Sequence, residues 1–127
     1  MTDVRVVDAS AVAALLFEEP EADAIAVRLD GAQLVAPSLL GFELANVCVM
    51  KCRRHPLQRA EILAGFDLRH RLGVETIAVD HADVVALAER FRLTVYAASY
   101  LCLARRLGAE IVTLDAALQR AADSISA

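Results

Sequence analysis

The sequence predicts an α/β fold in which helices cover both faces of a central parallel sheet of about four strands. Three observations carry this expectation. Short β-branched runs alternate with longer segments of helical periodicity along the chain. The strand candidates are nearly continuous in apolar character rather than alternating, which is the pattern of strands buried on both faces. Finally, 25 alanines against 5 glycines and 3 prolines in 127 residues favour many short helices with few breaks.

The first strand candidate is residues 4–7, interrupted only by Arg5, and it stops at Asp8 before the apolar run 9–17. That order reads as a buried strand feeding a helix. Pro20 opens a second helix in which Ala22, Ile25, Ala26 and Leu29 keep helical spacing until Gly31 ends it. Residues 33–36 form the second strand. Pro37 breaks the chain there, and Ser38 is the expected N-cap of a helix running to about Arg54. Along that helix Leu39, Glu43, Asn46, Met50 and Arg53 share a stripe. Pro56 opens the next helix and Gly73 closes it, before a third strand at 75–79. Asp80 caps a helix carrying Val84, Val85, Leu87, Ala88 and Phe91, which ends before Thr94. Residues 96–107 make another helix, closed by Gly108. The fourth strand is 110–114, and Asp115 starts a terminal helix through Ala122. No repeat, linker or low-complexity stretch divides the chain, so one domain over residues 1–127 is expected.

Charge and cysteine content narrow the function classes. Seventeen acids against 13 bases give a net charge of -4, and every base except Lys51 is arginine. Such a chain has no general basic field, so a nucleic-acid substrate requires a local arginine patch or a metal at an acidic site. Three cysteines and no basic stretch leading into an apolar one predict a reduced, cytoplasmic protein. The apolar runs fall well short of the roughly 18 residues of a membrane span.

Ligands of open parallel sheets bind beyond the carboxyl ends of the strands. The first and last strands both finish near a carboxylate there, Asp8 and Asp115, while Glu43 lies early in the helix after the second strand, among Leu40, Phe42, Leu44 and Ala45. Either aspartate alone is equally well read as a helix N-cap. Capping does not account for Glu43, five residues beyond the expected cap, and a carboxylate in apolar surroundings needs an ion pair or a cation. Three converging acids form a hard oxygen site suited to Mg²⁺ or Mn²⁺, of the kind used in metal-assisted phosphodiester hydrolysis.

Four separated segments, VVDASAVAALLFEE, FELANV, TVYAASYLCLARRLGA and VTLDAAL, resemble the PIN-domain ribonucleases, specifically the VapC toxins of type II toxin–antitoxin pairs. The resemblance runs in order over nearly the whole chain. It implies a PIN-like α/β/α sandwich and an endoribonuclease in which Asp8, Glu43 and Asp115 bind Mg²⁺ or Mn²⁺, with Ser10 and Thr113 as polar neighbours. It also implies a cognate VapB-type antitoxin, an RNA substrate, a homodimer, and operator DNA reached only through the antitoxin. No membrane association is expected.

One position departs from the family pattern. Where the family has Tyr-Asp-Ala, with the aspartate as a further metal-site acid, this chain has Tyr96-Ala97-Ala98. Ser99 and Tyr100 are neutral and are expected to face elsewhere on the helix. The intact flanking motif favours an introduced Asp-to-Ala change over a natural loss, and an impaired or inactive enzyme is expected. The alternative is a non-catalytic PIN-like module that binds an antitoxin without cutting RNA. Cys48, Cys52 and His55 share a helix face but lack a fourth ligand for zinc. His70, His81 and the pairs Arg53-Arg54, Arg69-Arg71 and Arg105-Arg106 are expected on solvated faces.

Overall fold

Val6 and Val7 have no exposed surface and occupy the middle of the sheet. They belong to β1 (Val4–Val7), which is joined by β2 (Gln33–Pro37), β3 (Glu75–Ile77) and β4 (Glu110–Val112). In the computed structural model, which describes residues 2–126, the strand order is β3-β2-β1-β4 and every pairing is parallel. Val6 stands beside Val35 on one side and Ile111 on the other.

Parallel neighbours need crossover connections, and the helices supply them. α1 (Ala9–Leu16) and α2 (Ala22–Leu29) join β1 to β2, and α3 (Leu40–Arg54) and α4 (Arg59–Asp67) join β2 to β3. α5 (His81–Phe91) and α6 (Val95–Leu107) lead into β4, after which α7 (Ala116–Ser126) follows. The expected α/β/α arrangement is thus present. α6 packs against β1, β2 and β4 and is buried continuously over residues 98–104, as a central core helix must be. α1 buries Ala11, Val12, Ala13, Ala14 and Leu16 and packs against α2 and α3.

The strand order places the site. The chain steps outward from β1 to β2 to β3, then returns to lay β4 against the opposite side of β1. At such a reversal the flanking connections diverge and leave a crevice beyond the strand ends. Here the reversal falls between the ends of β1 and β4.

Several local expectations are corrected. Ser38 does not cap α3; the N-cap residue is Leu39, in αR conformation and without a side-chain bond to the helix, and Ser38 is exposed. The helix expected from Pro56 to Gly73 is broken into a 3-10 turn (Pro56–Gln58), α4, and a second 3-10 run (Leu68–Leu72). Ile62 is the only buried side chain across these three pieces, too little apolar surface to hold one straight helix. Gly73, at φ 65°, supplies the left-handed exit. β3 ends at Ile77 and β4 at Val112, two residues early in each case, because their partners β2 and β1 end at Pro37 and Val7. α2 starts at Ala22 rather than Pro20, α6 at Val95 rather than Tyr96, and α7 continues past Ala122 to Ser126. Among the described residues no helix is long and apolar enough to cross a membrane.

Candidate active site

β1 ends in Asp8, whose extended backbone and buried side chain make it the N-cap of α1. Its Oδ1 accepts the Ala11 amide at 3.1 Å and the Ser10 hydroxyl at 2.7 Å. Its Oδ2 accepts the Thr113 hydroxyl at 2.5 Å. The same two hydroxyls tie in the loop after β4: Ser10 Oγ accepts the Leu114 amide and Thr113 Oγ1 the Asp115 amide, both at 2.9 Å. Asp115 caps α7 in turn, its Oδ1 accepting the Leu118 amide at 3.1 Å, and its side chain is exposed. Both aspartates are therefore caps, and both also stand beyond the strand ends at the sheet reversal. Ser10 and Thr113, expected as polar neighbours, bond to Asp8 directly.

Glu43 is half-buried in the first turn of α3. Its Oε1 accepts the Tyr100 phenol at 2.6 Å across 57 residues of sequence. This corrects the expectation that Tyr100 faces away. Residues three apart on a helix lie about 60° from one another, so Tyr100 and Ala97 share a face, whereas Ser99 lies about 160° from Ala97. That angular relation follows from the sequence alone and puts Tyr100 on the face of Ala97, where it meets Glu43. Ser99 donates instead to the Tyr96 carbonyl at 2.6 Å. Phe42, expected to bury Glu43, is 84% exposed and stands with Tyr96 around a shallow hollow of about 540 Å³ that also includes Glu43 and Asn46.

Burial pushes the Asp8 carboxyl above its ordinary range; the Thr113, Ser10 and Ala11 donors pull it back, and the nearby charge of Asp115 adds to the rise. Burial also raises Glu43, opposed by the Tyr100 hydrogen bond and reinforced by Asp8. The Tyr100 phenol is pushed far up, first by burial and then by its bond to Glu43. Asp8 is thus the common electrostatic neighbour of Glu43 and Asp115. A site in which carboxylates raise one another is relieved by a cation.

The donor set has the right chemistry for Mg²⁺ or Mn²⁺, since all three acids offer hard oxygens. Among the described residues nothing donates to Glu43 Oε2 or Asp115 Oδ2, so each acid keeps an oxygen open. As the chain stands, however, no group of three or more His, Cys, Asp or Glu side chains among those residues is drawn together closely enough to hold an ion. Ala97 is half-buried in the first turn of α6, its amide bonded to the Thr94 hydroxyl at 3.1 Å. It contributes a methyl group on the helix face that carries Tyr100.

The residues set aside in the sequence stay apart from this site. Cys48 and Cys102 are buried, and burial pushes both thiols up, so they pack as neutral groups. His55, His70 and His81 are exposed. So are Arg53, Arg54, Arg71, Arg105 and Arg106, while Arg69 is partly covered and lies over the Phe66 ring.

A strand-end site of this kind, at the reversal of a four-stranded parallel sheet, defines an acidic α/β/α class. The PIN domain family model matches residues 5–124, and the chain belongs to the PIN-domain family. Ribonuclease VapC3 of Pyrobaculum aerophilum is 34% identical over 115 residues, which is 87% of this chain and 88% of that protein. Two crystal structures share the fold. PAE2754 from P. aerophilum matches with a TM-score of 0.76 at 21% identity, over 98% of this chain and 93% of its own. VapC20 of Mycobacterium tuberculosis, a toxin that cleaves the sarcin-ricin loop, matches with a TM-score of 0.64 at 16% identity, over 92% and 94%.

Proposed function

We propose that this chain is a single-domain endoribonuclease toxin of the VapC type, dependent on Mg²⁺ or Mn²⁺ and impaired by alanine at position 97. The observation that carries this reading is the bonded set Asp8, Ser10, Thr113 and Asp115 at the sheet reversal, with Glu43 electrostatically coupled to Asp8. It is supported by the family match and by the relative named Ribonuclease VapC3.

Asp8, Glu43 and Asp115 would hold the cation. When bound, the ion supplies Lewis acidity and a lowered pKa for water, which is what phosphodiester hydrolysis requires. The chain's own residues set the stage. Thr113 and Ser10 fix Asp8 so that it does not reorganise during the reaction, and rigid groups aimed at developing charge stabilise a transition state best. Asp115 is held beside Asp8 at the sheet reversal by the same loop. An acidic cleft of this kind suits an arginine-bearing segment when idle, through charge-assisted hydrogen bonds, and that supports a VapB-type antitoxin as partner. Operator DNA is then reached through the antitoxin, and a cytoplasmic homodimer completes the reading.

A second reading is favoured by one observation: among the described residues no three acids are drawn together closely enough to hold an ion. On that reading the protein binds an antitoxin without cutting RNA. Incubating a structured RNA with Mg²⁺ and either this chain or its Ala97→Asp form separates the two. An enzyme site gains about two orders of magnitude or more in rate from the added carboxylate, and Glu43→Gln in that background loses a comparable factor. A binding module gains nothing. Unchanged cleavage by Glu43→Gln removes Glu43 from the site.

A further inference from the structure

We propose that Tyr100 is the positioning residue for Glu43, holding Oε1 through its phenol and leaving Oε2 as the one oxygen that this carboxylate presents to a cation. The inference rests on the reading of Glu43 as a cation ligand and adds to it a residue on a different helix.

A glutamate carboxylate ends a side chain with several rotatable torsions, so an exposed one samples many positions and must be ordered when a ligand binds. Glu43 is only half-buried, and its own helix does not lock it. Tyr100 does have a locked position. Its ring is 2% exposed, within the continuously buried stretch of α6 that lies across β1, β2 and β4. The hydroxyl therefore leaves the protein core at a fixed point and meets Oε1 at 2.6 Å.

A phenylalanine would fill the same core volume without needing a polar partner. A buried tyrosine hydroxyl must be satisfied, and no buried side-chain oxygen or nitrogen is left without a partner among the described residues. Glu43 thus meets the requirement of Tyr100 while Tyr100 fixes Glu43. Asp8 follows the same plan, with donors from Thr113, Ser10 and Ala11. In both acids protein donors restrain the carboxylate, on both oxygens of Asp8 and on Oε1 alone of Glu43. Outer donors that orient metal ligands in this way commonly set affinity by 10-fold to 100-fold.

The test is a double-mutant cycle between Tyr100→Phe and Glu43→Ala, read in two ways. In metal-free buffer, urea unfolding of this chain with each single change and with both is expected to show coupling: the loss on removing the hydroxyl is smaller once Glu43 is alanine, what remains being the hydroxyl's contact with the Ala9 backbone. Strictly additive urea midpoints overturn the proposal. In the Ala97→Asp background, Mn²⁺ titration by calorimetry is expected to show an affinity lower by about 10-fold for Tyr100→Phe, and no further loss from it when Glu43 is already alanine. An unchanged affinity with Glu43 present overturns the proposal while leaving the cation site standing. An equal loss with and without Glu43 also overturns it, because the ring then acts through the fold. If no form binds Mn²⁺, the cation reading of Glu43 itself fails, and the proposal falls with it.

Discussion

Thr113 Oγ1 lies 2.5 Å from Asp8 Oδ2 and joins two loops separated by 105 residues. The same hydroxyl oxygen accepts the Asp115 amide, so one side chain serves both strand-end acids. Thr113→Val keeps the shape and removes both bonds. Leaving a buried carboxylate oxygen and a backbone amide without their partner is expected to cost about 1–3 kcal/mol, read as a lower urea midpoint at unchanged slope. A midpoint within error of the parent would show that solvent replaces the hydroxyl freely.

Metal-free stability carries a pH signature. Asp8 and Glu43 both have carboxyls raised above their ordinary values of 3.8 and 4.5. The folded state therefore binds protons more readily than the unfolded chain. Stability from these groups is fully present below the ordinary carboxylate range and is lost as pH rises through the raised values. Glu43→Gln keeps an acceptor for Tyr100 and removes the titration. Its thermal midpoint is expected to gain on the parent between pH 4 and 7 without metal, and a relative loss over that range would reverse the sign of the argument.

Gly65 marks a close approach of α4 to the end of α1. A Cβ there would lie 2.7 Å from the Leu16 carbonyl oxygen, which is backbone and cannot swing aside. Gly65→Ala gains about 1 kcal/mol of helix propensity, but overpacking against a fixed carbonyl costs about 1–3 kcal/mol. A net destabilisation in urea unfolding is expected.

Arg92 closes α5 in the left-handed region at φ 54°. Arg92→Gly is expected to stabilise by up to about 1 kcal/mol, since glycine adopts that conformation without the Cβ clash and the relief exceeds its added freedom in the unfolded chain. Thermal unfolding reads the shift.

The parallel sheet was legible because Val6, Val7, Val35, Ile111 and Val112 sit in short apolar runs that only a doubly covered sheet explains. Asp8 and Asp115 were legible for the same reason, as the first carboxylates beyond buried strands. The Asp8–Thr113 bond was not, because pairing of the first strand with the last depends on strand order, and periodicity does not encode order. Tyr100 shows a different limit. Its place on the face of Ala97 follows from helical angles, but its partner on α3 follows from the packing of α6 across the sheet. The broken helix after Pro56 escaped notice because its weak apolar stripe resembles a solvated helix until burial is known.

On the function proposed above, Asp8, Glu43 and Asp115 would hold a cation, and Ala97 would leave that site one carboxylate short. An acid at this position would add a negative charge and an oxygen donor to the first turn of α6, where the helix N-terminus tolerates an acid well. The most direct test is calorimetric titration of Mn²⁺ into this chain and into its Ala97→Asp form under identical conditions. Affinity is expected to be weaker in this chain by about 10-fold to 100-fold or more, the scale of a missing electrostatic group. Equal affinity in the two forms would place position 97 outside the site and contradict the claim.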